Sequence, residues 1–307
     1  MIISYGEILV DLIGGESGGV FTYERYAGGA PFNMACACAK AGGKCGFVGC
    51  VGDDLIGKYL SEFAGRQGLE FASVSVLPNA NTTLAFVELS EGGERSFCFY
   101  RKNTADYKLQ KETLQRVKEA DIVHLGSLML SESDGVAFAD ELVCAVKNAG
   151  KKLSFDINYR DDIFKNGEEA MTIYSKYIEA ADIVKYSEDE LELFTGKKGL
   201  EGISKVARPD KLVCVTLGSK GSAYAIGNRV CTVESIKVKP VDTTGAGDAF
   251  YGALLSRLDG KDFVSLSEKE LREIFRFANV AGALATTARG ALNSLPTKEQ
   301  IEKLLKA

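Results

Sequence analysis

The segment Val241-Asp-Thr-Thr-Gly-Ala-Gly-Asp-Ala-Phe250 constrains this chain more tightly than any other stretch of it. Pro240 and Val241 close an extended run, and Asp242, Thr243 and Thr244 are residue types that cap helices. Gly245, Ala246 and Gly247 carry no bulky side chain, so a ligand can reach their backbone amides. Ala249, Phe250, Ala253, Leu254, Leu255 and Leu258 then recur at helical spacing. The start of a helix offers unpaired N–H groups and the positive end of the helix dipole, which together favour an anion. Asp248 puts a negative charge beside that site. A site that only binds an anion has no use for it, whereas one that removes a proton from a hydroxyl while steadying phosphate charge needs both. The alternative is an ordinary loop–helix junction with a capping aspartate.

Alternation of short β-type runs with helical periodicity extends this to the whole chain. Residues 2–13, 45–51, 122–125, 152–157, 183–186 and 212–217 read as strands. Residues 30–40, 55–66, 133–148, 168–181, 188–194 and 271–288 read as helices. The order predicts an α/β fold with a mostly parallel central sheet flanked by helices and ligands beyond the carboxyl ends of its strands. Two segments interrupt the alternation, residues 14–26 and 81–101. Both read as β-hairpin material, the second turning at Glu91-Gly-Gly-Glu94. Phe86, Phe97, Phe99 and Tyr100 make the second too apolar for a bare surface flap.

Three motifs in order resemble the ribokinase-like (PfkB-type) carbohydrate kinases: the decapeptide above, Gly28-Gly-Ala-Pro-Phe-Asn-Met-Ala35, and Val215-Thr-Leu-Gly-Ser-Lys-Gly221. The likeness runs from Gly6-Glu7 to Pro296. Within the family it is most similar to bacterial fructokinases, through Gly28–Asn33, Phe97-Cys-Phe-Tyr-Arg101 with Ala105-Asp106, His124-Leu-Gly-Ser127, Asp156-Ile-Asn-Tyr-Arg160 and Lys185-Tyr-Ser-Glu-Asp-Glu190. The resemblance implies a ribokinase-like domain over residues 1–307, with the hairpins forming a small β-sheet lid that also supports a homodimer. It implies ATP-dependent phosphorylation of a primary hydroxyl, D-fructose foremost. 2-Keto-3-deoxygluconate, ribose and nucleosides or aminoimidazole riboside remain open as substrates, and so does a catalytically silent sugar sensor.

The same resemblance assigns residues. Asp248 is the base, and the amides of Gly245, Ala246 and Gly247 face the transferring phosphate. Asp11, Gly28, Gly29 and Asn33 fall on the sugar, with Phe97, Phe99, Arg101 and Arg160 as further substrate-side candidates. A carboxylate can accept from vicinal hydroxyls, and an amide both donates and accepts; surface ion pairs are the alternative for both arginines. Lys185, Thr216, Gly218, Ser219, Gly221 and Asn279 fall on the nucleotide. Glu190 matches a glutamate that organises Mg²⁺ through water, Ser187 standing where many relatives have Asn; the first turn of a helix is its other reading. Asp242, Thr244, Gly290 and Ser294 match a K⁺ site found in some members.

Composition excludes several classes. The net charge of −5, without a long basic run, argues against nucleic acid. No stretch of about 20 apolar residues suggests a membrane span, and the N-terminus reads as a strand. The motif Gly-x-x-x-x-Gly-Lys-Ser/Thr is absent, as is Gly-x-Gly-x-x-Gly. The eight cysteines lack metal-ligand spacing and read as reduced core residues of a cytoplasmic protein. The single histidine, His124, lies in an apolar strand and reads as a core residue.

Overall fold

In the computed structural model, residues 1–89, 95–164 and 166–306 are described, and at 17, 88–89, 95–97 and 161 the backbone alone. The turn expected at 91–94 and the side chain of Phe97 fall outside that description.

A nine-stranded sheet forms the body. In chain order its strands are β1 (Ile2–Tyr5), β4 (Cys45–Gly52), β5 (Phe71–Leu77), β8 (Ile122–Leu125), β9 (Lys152–Asp156), β10 (Ile183–Ser187), β11 (Leu212–Thr216), β12 (Ser222–Ile226) and β13 (Arg229–Val233). Across the sheet they run β13-β12-β11-β10-β9-β8-β1-β4-β5, parallel except for β12 and β13. The four-stranded second sheet runs β3-β2-β6-β7, with β2 at Leu9–Ser17, β3 at Val20–Gly28, β6 at Leu84–Leu89 and β7 at Arg95–Tyr100. The expected mostly parallel sheet with a smaller β-sheet is therefore present.

The body strands are short and apolar because both faces are covered. Alternate residues go to opposite faces. Ile2, Ile183 and Cys214 join the core under the helices α1 (Ala30–Lys40), α7 (Ala246–Leu258) and α8 (Glu268–Ala285). Ile3, Val184 and Val213 join the core on the other side, beneath α3 (Ser133–Asn148) and α4 (Gly167–Ala180). The chain's order in the sheet reverses at β1: β4 and β5 lie to one side, and β8 to β11 to the other. A crevice at the carboxyl ends of β1 and β8 is the expected ligand position in such a sheet.

Several expectations need correction. The run 2–13 is two strands in different sheets, because the backbone turns away at Gly6-Glu7-Ile8. The first hairpin spans 9–28, wider than 14–26, since its register continues inward to Leu9↔Gly28. The strands β5, β12 and β13 escaped sequence reading, as did α6 (Gly199–Val206) and α9 (Lys298–Leu305). A further helical segment, a 3-10 helix, spans Lys111–Glu119. Cys98 and Cys144 are exposed and Cys231 is half-buried, so those cysteines are not core residues; the others are buried, and all are unpaired. His124 is buried against Ser154 and Tyr251, and burial pushes its pKa down to about 3. Among the described residues, no helix is long and apolar enough to cross a membrane.

The packing of α1 on α7 is tight because Gly252 presents no side chain to α1. A Cβ there would lie 2.4 Å from the carbonyl oxygen of Met34 and 2.7 Å from the Cys38 nitrogen. Glycine inside a helix ordinarily costs about 1 kcal/mol relative to alanine. Here the overpacking cost of about 1–3 kcal/mol outweighs that gain. Gly252→Ala is therefore expected to lower stability by about 1–2 kcal/mol, visible as a melting temperature lower by a few degrees. A thermal melt unchanged or raised in the variant would contradict the close approach.

Candidate active site

The catalytic candidates gather at the carboxyl edge of the large sheet. One cavity of about 310 Å³ is lined by Glu7, Asp11, Asn33, Asp248 and the backbone of Gly245 and Gly247, among others. A second, about 510 Å³, is lined by Thr216, Gly218, Ser219, Gly221, Asn279 and the first turn of α7. Thr243 and Gly247 line both. The two cavities therefore meet at the N-terminus of α7.

That helix start is shaped by Gly245, which adopts φ 74°. A Cβ there would sit 2.6 Å from the Ala291 Cβ, so space as well as conformation requires glycine. Asp242 fixes the approaching loop: its carboxylate accepts from the Thr244 nitrogen (2.8 Å) and the Gly290 nitrogen (3.0 Å). The Ser294 hydroxyl donates to the Gly290 carbonyl at 2.8 Å. The residues matched to a K⁺ site are thus knit into one junction behind the helix start.

Asn33 comes to Asp248 from the other end of the sequence. Gly29, at φ 110°, precedes α1 and lets the backbone pass where a Cβ would lie 2.5 Å from the Glu7 carbonyl oxygen. Pro31 in the first turn suits a helix start. Asn33 Nδ2 then donates to Asp248 Oδ2 at 2.9 Å. Burial pushes the Asp248 carboxyl above the ordinary aspartate range. The Asn33 hydrogen bond and the positive charges of Lys185 and Arg160 pull it back.

Asp11 lies on β2, facing the same cavity. A Cβ on Gly28 would stand 2.3 Å from its Oδ2, so glycine makes room for this carboxylate. Phe99 and Arg160 also line the cavity. Arg101 does not: its guanidinium forms a buried pair with Asp106 (2.6 and 3.1 Å) and donates to the Ser131 hydroxyl. Lys185, grouped with the nucleotide residues by resemblance, lines the cavity of Asp248 instead. It pairs with Asp156 at 2.8 and 2.9 Å. Burial works against the Lys185 charge, but the carboxylates of Asp156, Glu190 and Asp248 outweigh it and raise its pKa.

On the other side, Gly218 (φ 58°) and Gly221 (φ 108°) shape the turn between β11 and β12. Thr216 ends β11. Asn279, on α8, lines the larger cavity while its amide donates to the Val233 and Glu234 carbonyls. Glu190 and Ser187 form a capping box at the start of α5 (Glu188–Thr195). The other Glu190 oxygen accepts from the Tyr159 nitrogen at 2.8 Å, bracing the loop that carries Arg160. Mg²⁺ asks little of the protein beyond one or two carboxylates, with phosphates and water completing its shell. Glu190 fits only an outer position there, since backbone amides already occupy both of its oxygens. Among the described residues, no group of three or more His, Cys, Asp and Glu forms a metal site.

Sequence reasoning missed Glu7, Asn158 and Thr243 as cavity residues. Asn158 had a signal: it adopts φ 37°, a region Asn tolerates better than most residues. Glu7 Oε2, Asn33 Oδ1 and Thr244 Oγ1 are buried without a hydrogen-bond partner among the described residues, and all three residues line the smaller cavity. Unpaired buried polar atoms concentrated in one cavity are what a polar ligand satisfies.

Comparison with known proteins shows the family and the fold. Residues 1–298 match the pfkB family carbohydrate kinase description. The chain is 40% identical to fructokinase-1 of Zea mays over 316 residues, covering 99% of this chain and 97% of the relative. It is 39% identical to fructokinase-1 of Oryza sativa subsp. japonica, covering 100% and 98%. Among solved structures it resembles the fructokinase of Vibrio cholerae O395 bound to fructose, ADP and calcium (TM-score 0.87, 33% identity, 99% and 98% covered). The ATP-bound fructokinase of Xylella fastidiosa gives a TM-score of 0.88 at 29% identity, with 99% and 98% covered.

With Asp248 as the candidate base, which acts while deprotonated, kcat/KM is expected to fall as pH drops through its pKa. Because that pKa is raised, the acid limb is expected above the ordinary value of about 3.9. Asn33→Ala removes a donor that stabilises the charged form, and the limb moves to higher pH. A pH series of kcat/KM for both proteins checks this. A limb that stays put would detach Asn33 from the base.

Proposed function

This chain belongs to the pfkB family of carbohydrate kinases, and on that footing we propose that it transfers the γ-phosphoryl group of ATP to the primary hydroxyl of D-fructose. The observation that carries this reading is the meeting of two cavities at the start of α7, with Asp248 on the wall of the smaller one. At about 310 Å³ the smaller lies at the low end of ligand-pocket sizes, which suits a monosaccharide. Fructose as the sugar is supported by the relatives named above.

In the proposed step the sugar oxygen attacks phosphorus, the bond to the bridging oxygen of ADP breaks, and the hydroxyl proton passes to Asp248. The amides of Gly245, Ala246 and Gly247, with Lys185 and Arg160, steady the charge that spreads over the phosphoryl oxygens. Asp11 and Asn33 hold sugar hydroxyls beside Phe99. Thr216, Gly218, Ser219, Gly221 and Asn279 hold the nucleotide. A divalent ion, Mg²⁺ in our reading, would neutralise phosphate charge, and Glu190 would help hold it through water. We assign the junction of Asp242, Thr244, Gly290 and Ser294 to K⁺.

We further propose that the domain spans residues 1–307, with the four-stranded sheet as its lid and a second copy of the chain covering the lid's outer face. Phe21, Tyr23, Phe86 and Tyr100 form a ladder of ring contacts there, with centroids 5.1–5.2 Å apart. Phe21 and Tyr100 remain 55% and 61% exposed, more apolar surface than a monomer usually leaves in one place.

One preparation tests both parts. ADP release is followed with ATP, Mg²⁺ and a panel of D-fructose, 2-keto-3-deoxygluconate, ribose and nucleosides, and sedimentation reads the mass. D-Fructose is expected to give the highest kcat/KM, with little ATP turnover in its absence, and the mass of a dimer is expected to fall to a monomer in Tyr100→Glu. Preference for another member of the panel would replace the sugar. No sugar-dependent turnover would replace the kinase reading with a sensor, and a wild-type monomer would remove the lid contact.

A further inference from the structure

Glu7 follows β1 at the point where the strand order reverses, and it lines the smaller cavity. It is 2% exposed, and its Oε2 has no hydrogen-bond partner among the described residues. Gly126, after β8, leaves room for the carboxyl: a Cβ there would lie 3.0 Å from Oε2. Asn33 Oδ1 is a second buried acceptor on the same cavity, and the amide nitrogen of Asn33 is committed to Asp248. The cavity thus offers an amide oxygen that only accepts and a carboxyl that donates when protonated. A sugar hydroxyl has one hydrogen to give and lone pairs to offer, which suits that combination. Resting on the reading of the site as a sugar kinase, we propose that Glu7 binds the sugar as a neutral carboxylic acid, donating to a hydroxyl whose own hydrogen goes to Asn33 Oδ1.

The charged groups around Glu7 favour that state. Asp11 on β2, Asp106 after β7 and Asp248 on α7 are negative. Arg101 is committed to Asp106, while Lys185 on β10 and Arg160 after β9 line the same cavity. Burial pushes the Glu7 carboxyl up to about 8; its own backbone amide and Arg101 pull against this, and Asp106 and Asp248 add to it. At neutral pH the group is therefore a donor. Above about pH 8 ionisation removes the donated hydrogen and sets a negative charge against the hydroxyl oxygen.

Glu7→Gln keeps a neutral donor and acceptor that do not titrate, and Glu7→Leu removes both. The KM of wild type for D-fructose is expected to rise as pH passes through about 8, approaching tenfold one unit higher. E7Q is expected to retain most of the sugar affinity at pH 7 and to lose the alkaline rise. E7L is expected to raise the fructose KM by about five- to tenfold while leaving the ATP KM unchanged. An alkaline rise of the same size in E7Q overturns the proposal, and so does an E7L variant whose two KM values move together or not at all. A wild type inert toward D-fructose overturns the reading of the site and the role of Glu7 with it. An active wild type whose pH profile E7Q shares overturns the role of Glu7 alone.

Discussion

The hydrogen bond from Asn33 to Asp248 joins side chains 215 residues apart, and the rest of the site is arranged around it. It exists because α1 and α7 pack closely enough for the contact, which Gly252 permits. It sets the orientation of a carboxylate that burial would otherwise leave neutral over more of the pH range. In the proposed mechanism such a partner serves the base: partial desolvation makes it stronger, and one donor keeps it ionised and pointed. The bond is thus where packing and chemistry meet in this fold.

Around that bond charges of both signs line the smaller cavity. Positive charge comes from the first turn of α7, where the two cavities meet, and from Lys185 and Arg160 on the wall of the smaller one. Negative charge comes from Asp11 and Asp248 on the sugar side, where Glu7 stands protonated. Lys185 stays charged although buried, because Asp156 holds it at hydrogen-bond distance. Removing either partner would strand a buried charge, which typically costs about 3–5 kcal/mol. The sheet contributes geometry: β1, β9, β10 and β11 deliver Glu7, Asp156, Lys185 and Thr216 to one edge because parallel strands end together.

Much of this was legible in the sequence where local rules suffice. The bounds of α1 and α3 match the expected ones, since apolar spacing and start signals agree there. The helix after Gly245 was announced by small residues and apolar spacing, although Gly245 is its N-cap and none of Asp242, Thr243 and Thr244 caps it with a side chain. What escaped reading depended on distant contacts. The run 2–13 is mostly apolar on both sides of Gly6-Glu7, and that dipeptide alone does not show that the two halves join different sheets. Arg101 had the look of an anion-binding side chain, but Asp106 occupies its guanidinium. Glu190 is both a helix cap and a brace for the loop after β9, and sequence offers only the first role. Glu7 matters because its oxygen is buried and unpaired, which only the three-dimensional arrangement reveals.

The central claim is that Asp248 takes the proton of the accepting hydroxyl at the meeting of the two cavities. Single-turnover phosphoryl transfer from ATP to D-fructose in Asp248→Asn, with ATP affinity measured on the same protein, tests it most directly. The expected result is a folded variant with unchanged ATP affinity and a transfer rate lower by about two to four orders of magnitude, the usual scale for a lost general base. A transfer rate near that of wild type in the folded, ATP-binding variant would contradict the claim.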